Sequence, residues 1–562
     1  MTSFPITNKY VLFICFVFVV TYVVHVTEAL GTFGLDIHHR YSDTVKKFLD
    51  NDLLPKKDSV EYFNALVHRD HLRGRLLAGE PEPTTPLTFA GGNLTIRIDN
   101  LGFLHYGAVS VGTPGTEFIV GLDTGSDLFW IPCECTDCPR HLTALSGQRI
   151  DLNIYALNGS STEKPVTCDN AICGSSYQCL TEQNVCSYQT SYLTVNTSTS
   201  GIFLEDVLQL ATNENQPSSV NTTVIFGCGV VQTGSFLKNG PINGILGLGL
   251  EDISVPSALA TKGLTANSFS MCFGRDTFGR IVFGDKGSLD QGETPFIISA
   301  TNPTYIVSVE EVSVGGSTIG GSTINLTFSA LFDSGSSFTM FPDAIYTSIT
   351  DSFDSQVLDP RRNGSDLAFE YCYSLRSSSS GFESPKAPNL TFTMRGGDEF
   401  NVTAPLIIFH LEDSSYAYCL ALLKSASLSI IGQNFMTGYR LVYDREKLVL
   451  GWKKSDCYDT NQANTGSNST SPPSSTPPPA TTPLPPTSSR SPPPSRNTTN
   501  PNITQTSPPP SSAAGNTTND SPAGPGFRLP GTGNAAQLNS FTWKLVMVFL
   551  SLFSHYLVVH FF

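Results

Sequence analysis

The sequence predicts an all-β protein built from two β-lobes related by an approximate twofold axis. Between residues 95 and 457, short runs of β-branched and aromatic residues alternate with clusters of Gly, Asn, Asp and Ser, which is the pattern of strands and turns. About 360 residues of this pattern exceed what one β-sandwich needs, so a second lobe is expected.

An internal repeat supports the division into two lobes. In the first half, an apolar run leads into D-T-G-S at residues 123–126, and G-I-L-G follows at 244–247. In the second half, an apolar run leads into D-S-G-S at 333–336, and I-I-G follows at 430–432. The same two-part signature therefore occurs twice. We place the first lobe at residues 91–295 and the second at residues 296–457.

The N-terminus indicates export. Residues 10–26 form an apolar run that small residues follow, as in a secretory signal peptide, which we place at residues 1–29. Cys15 lies inside this segment, and the other twelve cysteines are spread over residues 133–457, as in an oxidised secreted domain. Sequons of the form N-x-S/T agree with this route, at Asn93, Asn158, Asn196, Asn221, Asn325, Asn363, Asn389 and Asn401.

Residues 30–90 have two interpretations: an ordinary N-terminal helical region of the domain, or a detachable prosegment. The stretch 61–77 spaces its apolar residues like an amphipathic helix. The segment also carries basic and titratable side chains, among them His38, His39, His68, His71, Arg69, Arg73 and Arg75. We favour the prosegment, because such side chains suit an inhibitor that covers an acidic cleft and leaves at low pH.

The C-terminal region predicts a stalk and an anchor. Residues 458–533 are rich in Ser, Thr, Pro, Asn and Gly, cannot bury a core, and are expected to form an extended stalk. The chain ends in an apolar stretch, 543–562, with no basic cluster behind it and small residues before it. This layout is typical of a glycosylphosphatidylinositol (GPI) attachment signal, here 534–562, which is removed; a retained transmembrane helix is the alternative. We expect the protein on the outer face of the plasma membrane or in the cell wall.

The distribution of charge excludes nucleic acid as a partner. The chain has a net charge of -15; residues 1–80 sum to zero and residues 458–562 to +2, which leaves -17 on residues 81–457. A domain this acidic would repel a phosphate backbone.

The two Asp-centred motifs predict a hydrolytic site. An apolar strand that ends in an Asp-x-Gly-Ser turn places a carboxylate in a partly desolvated position. Two such carboxylates brought together share one proton, because like charges that close cannot both ionise. One carboxylate can then take a proton from a shared water molecule while the other protonates the substrate carbonyl. Asp123 and Asp333 are the expected catalytic pair, and this chemistry needs no metal or other cofactor.

Three longer motifs strengthen this interpretation: D-T-G-S-D-L-F-W at 123–130, S-I-I-G-Q-N-F at 429–435 and D-R-E-K-L-V-L-G-W at 444–452. With them the chain resembles the pepsin-type aspartic peptidases over roughly residues 30–457, and most of all the plant nucellin-like aspartyl proteases of the "aspartyl protease family protein 1" type. The resemblance implies a bilobal pepsin-like fold with a cleft between the lobes, a β-hairpin flap over the cleft, and a prosegment that occupies the cleft until it is cut away.

The resemblance also implies roles for single residues. Asp123 and Asp333 match the catalytic pair of the family. Thr124 and Ser334 match the hydroxyl groups that connect the two active loops across the dyad.

Further positions complete the expected site. Ser126 and Ser336 match the hydroxyl groups that bond the outer carboxylate oxygens, and Gly125 and Gly335 permit the tight turns. Trp130 matches the tryptophan that braces the tyrosine of the flap.

The flap is where the match is loosest. Relatives often have Y-G-D-G-S, whereas here the corresponding stretch, 192–201, reads Y-L-T-V-N-T-S-T-S-G. Tyr192 is our candidate for the flap tyrosine and Tyr188 is the alternative. The sequon at Asn196 makes this flap polar, which bears on substrate preference more than on catalysis.

The cysteines predict disulfide bonds rather than zinc. Seven of them lie between the first active loop and the flap, and residues 81–457 contain only three histidines. In an exported chain, a disulfide-stapled insertion is the favoured reading of such a cluster. Cys372 and Cys419 are the only cysteines between the second active loop and the I-I-G motif, so we expect them to pair.

These observations predict a monomeric endopeptidase that cleaves polypeptides at acidic pH and that its own prosegment inhibits. The alternative is an inactive relative that uses the cleft or the lobe surface to bind an enzyme or a glycan. Both active loops are intact, which favours the peptidase. A serine or cysteine hydrolase would need a histidine base, and neither G-x-S-x-G nor H-E-x-x-H occurs.

Overall fold

Short strands dominate the structure, in agreement with the alternating sequence pattern. The computed structural model describes residues 31–39, 42, 58–77, 88–91, 94–97, 105–143, 149–174, 177–192, 197–211, 219–237, 243–274, 278–299, 304–319, 326–362, 367–375, 377–378, 381–411 and 413–457. The predicted signal peptide, stalk and C-terminal tail lie outside these residues. Within the described ranges, no helix has both the length and the apolar character needed to cross a membrane.

Strands β1 to β17 belong mostly to the first half of the chain. They are β1 Phe33–His39, β2 Thr88–Gly91, β3 Leu94–Arg97, β4 His105–Val111, β5 Thr116–Asp123, β6 Trp130–Asp137, β7 His141–Thr143, β8 Arg149–Asp151, β9 Lys164–Pro165, β10 Gln178–Leu180, β11 Val185–Ser191, β12 Ser198–Ala211, β13 Ser219–Gln232, β14 Ile245–Gly247, β15 Ser268–Phe273, β16 Phe278–Phe283 and β17 Gly292–Pro295.

Strands β18 to β32 follow in the second half. They are β18 Ile306–Val314, β19 Ser317–Thr318, β20 Phe328–Phe332, β21 Thr339–Pro342, β22 Cys372–Leu375, β23 Ser377–Ser378, β24 Gly381–Phe382, β25 Leu390–Met394, β26 Glu399–Asn401, β27 Leu406–His410, β28 Tyr416–Leu420, β29 Leu422–Ser425, β30 Ile430–Ile431, β31 Tyr439–Asp444 and β32 Val449–Lys454.

Helices are few in the described part of the chain. They are α1 Val60–Leu77, α2 Val255–Thr261, α3 Asp343–Gln356 and α4 Gln433–Met436, with a short 3-10 helix at Gly234–Leu237.

Two large sheets organise the two halves. The larger has the strand order β10-β11-β12-β13-β6-β14-β5-β4-β1-β16-β15-β31-β32-β17, with β9 on β12. The other has the order β26-β25-β18-β20-β30-β21-β29, with β19 on β18. A three-stranded sheet, β22-β28-β27, and the pairs β2-β3, β7-β8 and β23-β24 complete the described strands. The predicted all-β, two-lobed fold is confirmed.

The sequence repeat is also a repeat of topology. In the first half, β5 runs parallel to β14, with Leu122 opposite Leu246. In the second half, β20 runs parallel to β30, with Phe332 opposite Ile431. Each strand that leads into an Asp turn therefore lies beside the strand of the later apolar-Gly motif. Because β14, β30 and the end of β5 are buried throughout, they read as continuous apolar runs, whereas burial alternates along β20.

The described residues of the N-terminal segment are part of this architecture. Strand β1 lies between β4 and β16 in the larger sheet, and its Leu35 and Ile37 are buried in the main core. Helix α1 covers a second apolar cluster on the second half, where Phe63 packs against Phe338 and Phe409. The extent of the prosegment and the lobe boundaries remain predictions.

Six disulfide bonds join the twelve cysteines of residues 133–457. The pairs are Cys133–Cys228, Cys135–Cys138, Cys168–Cys179, Cys173–Cys186, Cys272–Cys457 and Cys372–Cys419. The last of them joins neighbouring strands, since Cys372 lies opposite Cys419 in the pairing of β22 with β28.

Candidate active site

Each Asp turn begins where a strand ends. Asp123 is the last residue of β5, in which every residue from Phe118 onward is buried. Asp333 follows β20 directly, and its backbone N–H donates to the carbonyl of Ile431 on the neighbouring strand. Both aspartates are buried, Asp123 with 8% and Asp333 with 2% of its surface exposed. The strand ends thus hold both carboxyl groups in positions of low solvent access.

The first turn satisfies both oxygens of its carboxyl group. The backbone N–H of Gly125 donates to Oδ1 of Asp123 at 3.0 Å, and the hydroxyl of Ser126 donates to Oδ2 at 2.7 Å. The turn bends back on the aspartate because glycine places no side chain in the way.

The second turn repeats this arrangement. The backbone N–H of Gly335 donates to Oδ1 of Asp333 at 2.9 Å, and the hydroxyl of Ser336 donates to Oδ2 at 2.7 Å. The two carboxyl groups therefore receive the same pair of donors at closely matched distances.

A contact between hydroxyl groups connects the two turns. Oγ1 of Thr124 lies 3.4 Å from Oγ of Ser334, and both side chains are buried. Residues 210 positions apart in the sequence are thus in contact beside the two aspartates. The Ser in place of a second Thr keeps the hydroxyl that this contact needs.

Two glycines allow the backbone to close around the site. A Cβ on Gly247 would lie 2.2 Å from the backbone of Asp127, and one on Gly432 would lie 2.5 Å from the backbone of Phe338. Each glycine ends an apolar-apolar-Gly motif, and each lets the chain pass the loop that follows an active turn. The motifs recur because both crossings need a residue without a side chain.

Tyr192 occupies the predicted place beside the tryptophan. Nε1 of Trp130 donates to the hydroxyl oxygen of Tyr192 at 2.7 Å, and the rings of both residues pack on Phe236. Burial and the nearby charge of Asp123 raise the pKa of Tyr192 well above its usual value, so its hydroxyl stays protonated. Tyr188, the alternative, lies inside β11, where its hydroxyl pairs with that of Thr199 at 3.1 Å.

The tip of the predicted flap, residues 193–196, lies outside the described residues. The strands that lead to it, β11 and β12, pair antiparallel, and the N–H of Tyr192 donates to the carbonyl of Thr197 at 2.9 Å. Asn196 belongs to the undescribed tip.

Asp127 is a functional candidate that the sequence reasoning missed. Its Oδ1 accepts from the backbone N–H of Glu251 at 2.7 Å. Burial raises the pKa of Asp127 to about 6, although this hydrogen bond acts to lower it. The charge of Asp123 adds to the rise. Its position directly after the first active turn, in the motif D-T-G-S-D, could have identified it from the sequence.

Helix α1 reaches the second active turn from the N-terminal segment. Nη1 of Arg69 donates to the carbonyl of Gly335 at 2.6 Å and lies 3.0 Å from Asp70. Oδ2 of Asp70 accepts from the backbone N–H of Phe338 at 2.6 Å. Burial raises the pKa of Asp70 to about 6, although the Arg69 charge and the N–H groups of the loop act to lower it. The helix thus binds the loop that carries Asp333.

Gln433 also contacts the second turn, and His105 contacts Gln433. The side-chain amide of Gln433 donates to the carbonyl of Ser334, and its nitrogen lies 2.8 Å from Nδ1 of His105. Gln433 could have been identified from the sequence because it directly follows the I-I-G motif, whereas nothing in the sequence singles out His105.

In the described part of the chain, no group of three or more His, Cys, Asp or Glu side chains is arranged to hold a metal ion.

Comparisons with known proteins agree with this geometry. Two family models match the chain, "Xylanase inhibitor N-terminal" at residues 105–285 and "Xylanase inhibitor C-terminal" at residues 304–454. The chain is 51% identical over 455 residues to aspartyl protease family protein 1 of Arabidopsis thaliana, covering 79% of this chain and 86% of the relative. It is 37% identical over 461 residues to aspartic proteinase-like protein 1 of Arabidopsis thaliana, covering 78% and 85%.

A solved structure is also similar. Conglutin gamma, a basic 7S globulin from lupine seeds, aligns with a TM-score of 0.47 and 20% identity over 62% of this chain and 91% of that one. The two Asp turns, their matched donors and the relatives of high identity lead to one conclusion. The chain belongs to the pepsin-type aspartic protease family, in the branch that the two xylanase-inhibitor models describe.

Proposed function

We propose that this protein is an acid endopeptidase that hydrolyses peptide bonds with water activated between Asp123 and Asp333. The observation that carries the proposal is the matched set of donors on the two carboxyl groups, a backbone N–H on Oδ1 and a serine hydroxyl on Oδ2. Neither turn by itself favours one aspartate as the acid. The proposed reaction needs one carboxyl group of the pair protonated and the other ionised.

In the proposed reaction each aspartate has one task at a time. The ionised carboxylate removes a proton from the attacking water molecule, and the protonated carboxyl group donates to the oxygen of the scissile carbonyl. The Thr124–Ser334 contact keeps the two turns in register while this charge moves. The flap tyrosine, Tyr192, closes the site from the side of Trp130.

The test is the activity of purified, acid-treated protein on an unfolded polypeptide between pH 3 and 6. Asp123→Asn and Asp333→Asn are each expected to lose at least about a thousandfold in kcat, because each removes one member of the acid–base pair. Asp137→Asn is the matched control, since Asp137 is exposed at the end of β6. Equal activity in all four proteins would rule out the proposal.

We also propose that residues 30–90 are an inhibitory prosegment. The bond from Arg69 to the carbonyl of Gly335 supports this, because it places a basic side chain on the turn that carries Asp333. The position of β1 inside the larger sheet adds a requirement. Removing the segment leaves the edges of β4 and β16 unpaired, so cleavage has to be accompanied by a rearrangement of this sheet.

Export and a lipid anchor complete the proposal. The sequons among the described residues are at exposed positions, Asn158, Asn221, Asn389 and Asn401, which supports passage through the secretory pathway. A GPI anchor predicts that phosphatidylinositol-specific phospholipase C releases the protein from membranes. Retention after complete digestion would favour a transmembrane tail.

A binding protein is the second candidate, because the two matching family models describe halves of a xylanase inhibitor. A protein of this kind would bind a polysaccharide-degrading enzyme and cleave no peptide bond. The completeness of both Asp turns supports the peptidase. Tight binding of a xylanase by a protein that shows no proteolysis would favour the inhibitor.

A further inference from the structure

His105 lies beside the second active turn, where it contacts Gln433. It is the first residue of β4 and is buried. Its Nδ1 lies 2.8 Å from Nε2 of Gln433, and the same Nε2 donates to the carbonyl of Ser334. The backbone N–H of Gln433 donates to the carbonyl of Ser336 at 2.9 Å. Gln433 thus binds the turn after Asp333 at two points, and His105 contacts the side chain that makes one of them.

The hydrogen bonds determine the protonation state of this imidazole. A carbonyl oxygen can only accept, so the amide group of Gln433 must point its NH2 toward Ser334. The second hydrogen of that NH2 is directed at Nδ1 of His105, which must therefore accept. His105 is consequently neutral, with its own proton on Nε2.

The surroundings of the ring favour the same neutral state. His105 packs edge-on against His39 of β1, with 5.1 Å between ring centroids, and against Phe273 of β15 at 4.9 Å. The basic groups that act on it are His38 and His39 of β1 and Arg69 of α1. Burial first, and these neighbours next, lower the pKa of His105 well below 6.5.

We propose that His105 is a positioning residue for the second active turn, and that it holds this turn through Gln433 only while its ring is neutral. A proton on Nδ1 turns the acceptor into a donor that faces the donor NH2 of Gln433. The amide must then rotate, and the bond to the carbonyl of Ser334 is lost. Ser334 lies next to Asp333 and its hydroxyl contacts Thr124, so loosening it affects both the acid and the link between the turns.

The catalytic part of this inference rests on the proposed peptidase function. It predicts that proteolysis declines at the acidic end of its pH range because His105 takes up a proton. The structural part, the dependence of the turn on the neutral ring, can be measured without any activity. The two parts therefore need separate experiments.

The first experiment measures hydrogen–deuterium exchange of the full-length protein from pH 7 to pH 3.5, corrected for intrinsic rates. In the wild type, the amides of Gly335 and Ser336, which donate to Asp333 and not to helix α1, are expected to exchange about tenfold faster at the acidic end. In His105→Asn, whose Oδ1 replaces Nδ1 as an acceptor without titrating, exchange is expected to stay slow throughout. In His105→Phe, which keeps a ring but has no acceptor, exchange is expected to be fast at every pH.

Two further variants test whether His105 acts on the turn through Gln433. Gln433→Leu removes the amide and is expected to make exchange fast and independent of pH. His39→Asn removes a neighbouring base, so the acceleration is expected at a higher pH than in the wild type, with no change near neutrality. Acceleration in His105→Asn that equals the wild-type response, or exchange in the wild type that does not depend on pH, would overturn the proposal.

The second experiment measures proteolysis by the same proteins. His105→Phe is expected to lose about tenfold in kcat with KM little changed, and His105→Asn is expected to recover most of that loss and to lack the acidic decline. If no variant or wild type cleaves peptides while the exchange results hold, the peptidase function fails and the positioning role stands. If the wild type is active and His105→Asn shows the same acidic decline, the positioning role fails and the function stands.

Discussion

The loop that carries Asp123 and the loop that carries Asp333 make the same hydrogen bonds in different surroundings. The first loop ends beside Trp130 and Tyr192, in a region stapled by four of the six disulfide bonds. The second is more deeply buried, and Gln433 and helix α1 both bind it. The comparison indicates that the chemistry fixes only the donors on each carboxyl group, while the support behind each loop can differ.

The largest expected effect comes from replacing the glycine that each half has at the end of its apolar-apolar-Gly motif. Gly247→Ala and Gly432→Ala each place a Cβ against backbone that cannot yield, so each is expected to lower the free energy of unfolding by about 2–4 kcal/mol. The measurement is urea denaturation of each variant. Gly115→Ala is the control, because its Cβ would meet the flexible side chains of Ser110 and Gln209. A loss of stability in the control as large as in the two variants would contradict this account.

A smaller effect is expected to differ between the two active turns, because water reaches them unequally. Ser126→Ala and Ser336→Ala each remove the hydroxyl donor to a carboxyl oxygen. Ser336 is completely buried while Ser126 is partly exposed, so water can replace only the Ser126 hydroxyl. We expect losses in kcat of about tenfold for Ser126→Ala and about a hundredfold for Ser336→Ala.

The control for this pair is Ser337→Ala in the same loop. Its hydroxyl is buried and makes no hydrogen bond among the described residues, so little loss in kcat is expected. Equal losses in Ser126→Ala and Ser336→Ala would show that the two turns have the same access to water.

The smallest predicted effect concerns the helix that only the second half binds. Burial lowers the pKa of His38 and His68 in the N-terminal segment, and that of His105, which packs against β1, so the docked form binds fewer protons than the detached form as the pH falls below 6.5. Docking therefore weakens below pH 6.5. Asp70 acts in the opposite direction between about pH 6 and 3.8, because its pKa is raised when the segment is docked.

Limited proteolysis of residues 58–77 at pH 7.5, 6.5, 5.5 and 4.5, with a protease of known pH response, measures this balance. The imidazoles begin to take up protons at a higher pH than Asp70 does, so cleavage is expected to accelerate several-fold as the pH falls from 7.5 to 5.5. Asp70→Asn keeps an acceptor for the N–H of Phe338 and removes the opposing titration, so its acceleration is expected to begin at the same pH and be steeper. Better protection of this segment from cleavage in acid would contradict the prediction that acid weakens its docking.

The sequence was sufficient for features that depend on neighbours in the chain. The apolar run that ends in Asp123 predicted a buried strand, the repeat predicted the second one, and the spacing of apolar residues predicted a helix where α1 lies. It could not predict contacts between distant segments. Gln433 and His105 are 328 residues apart, and Arg69 and Gly335 are 266 apart, so only the tertiary fold brings them together.

The disulfide between Cys272 and Cys457 has a mechanical consequence. Cys457 is the last described residue, and its partner lies in β15, an inner strand of the larger sheet. A pull on the chain beyond Cys457 is transmitted through sulfur to β15, which hydrogen bonds hold on both sides, and does not peel β32 away one bond at a time. The fold can therefore be suspended from its C-terminal end without that load unzipping it.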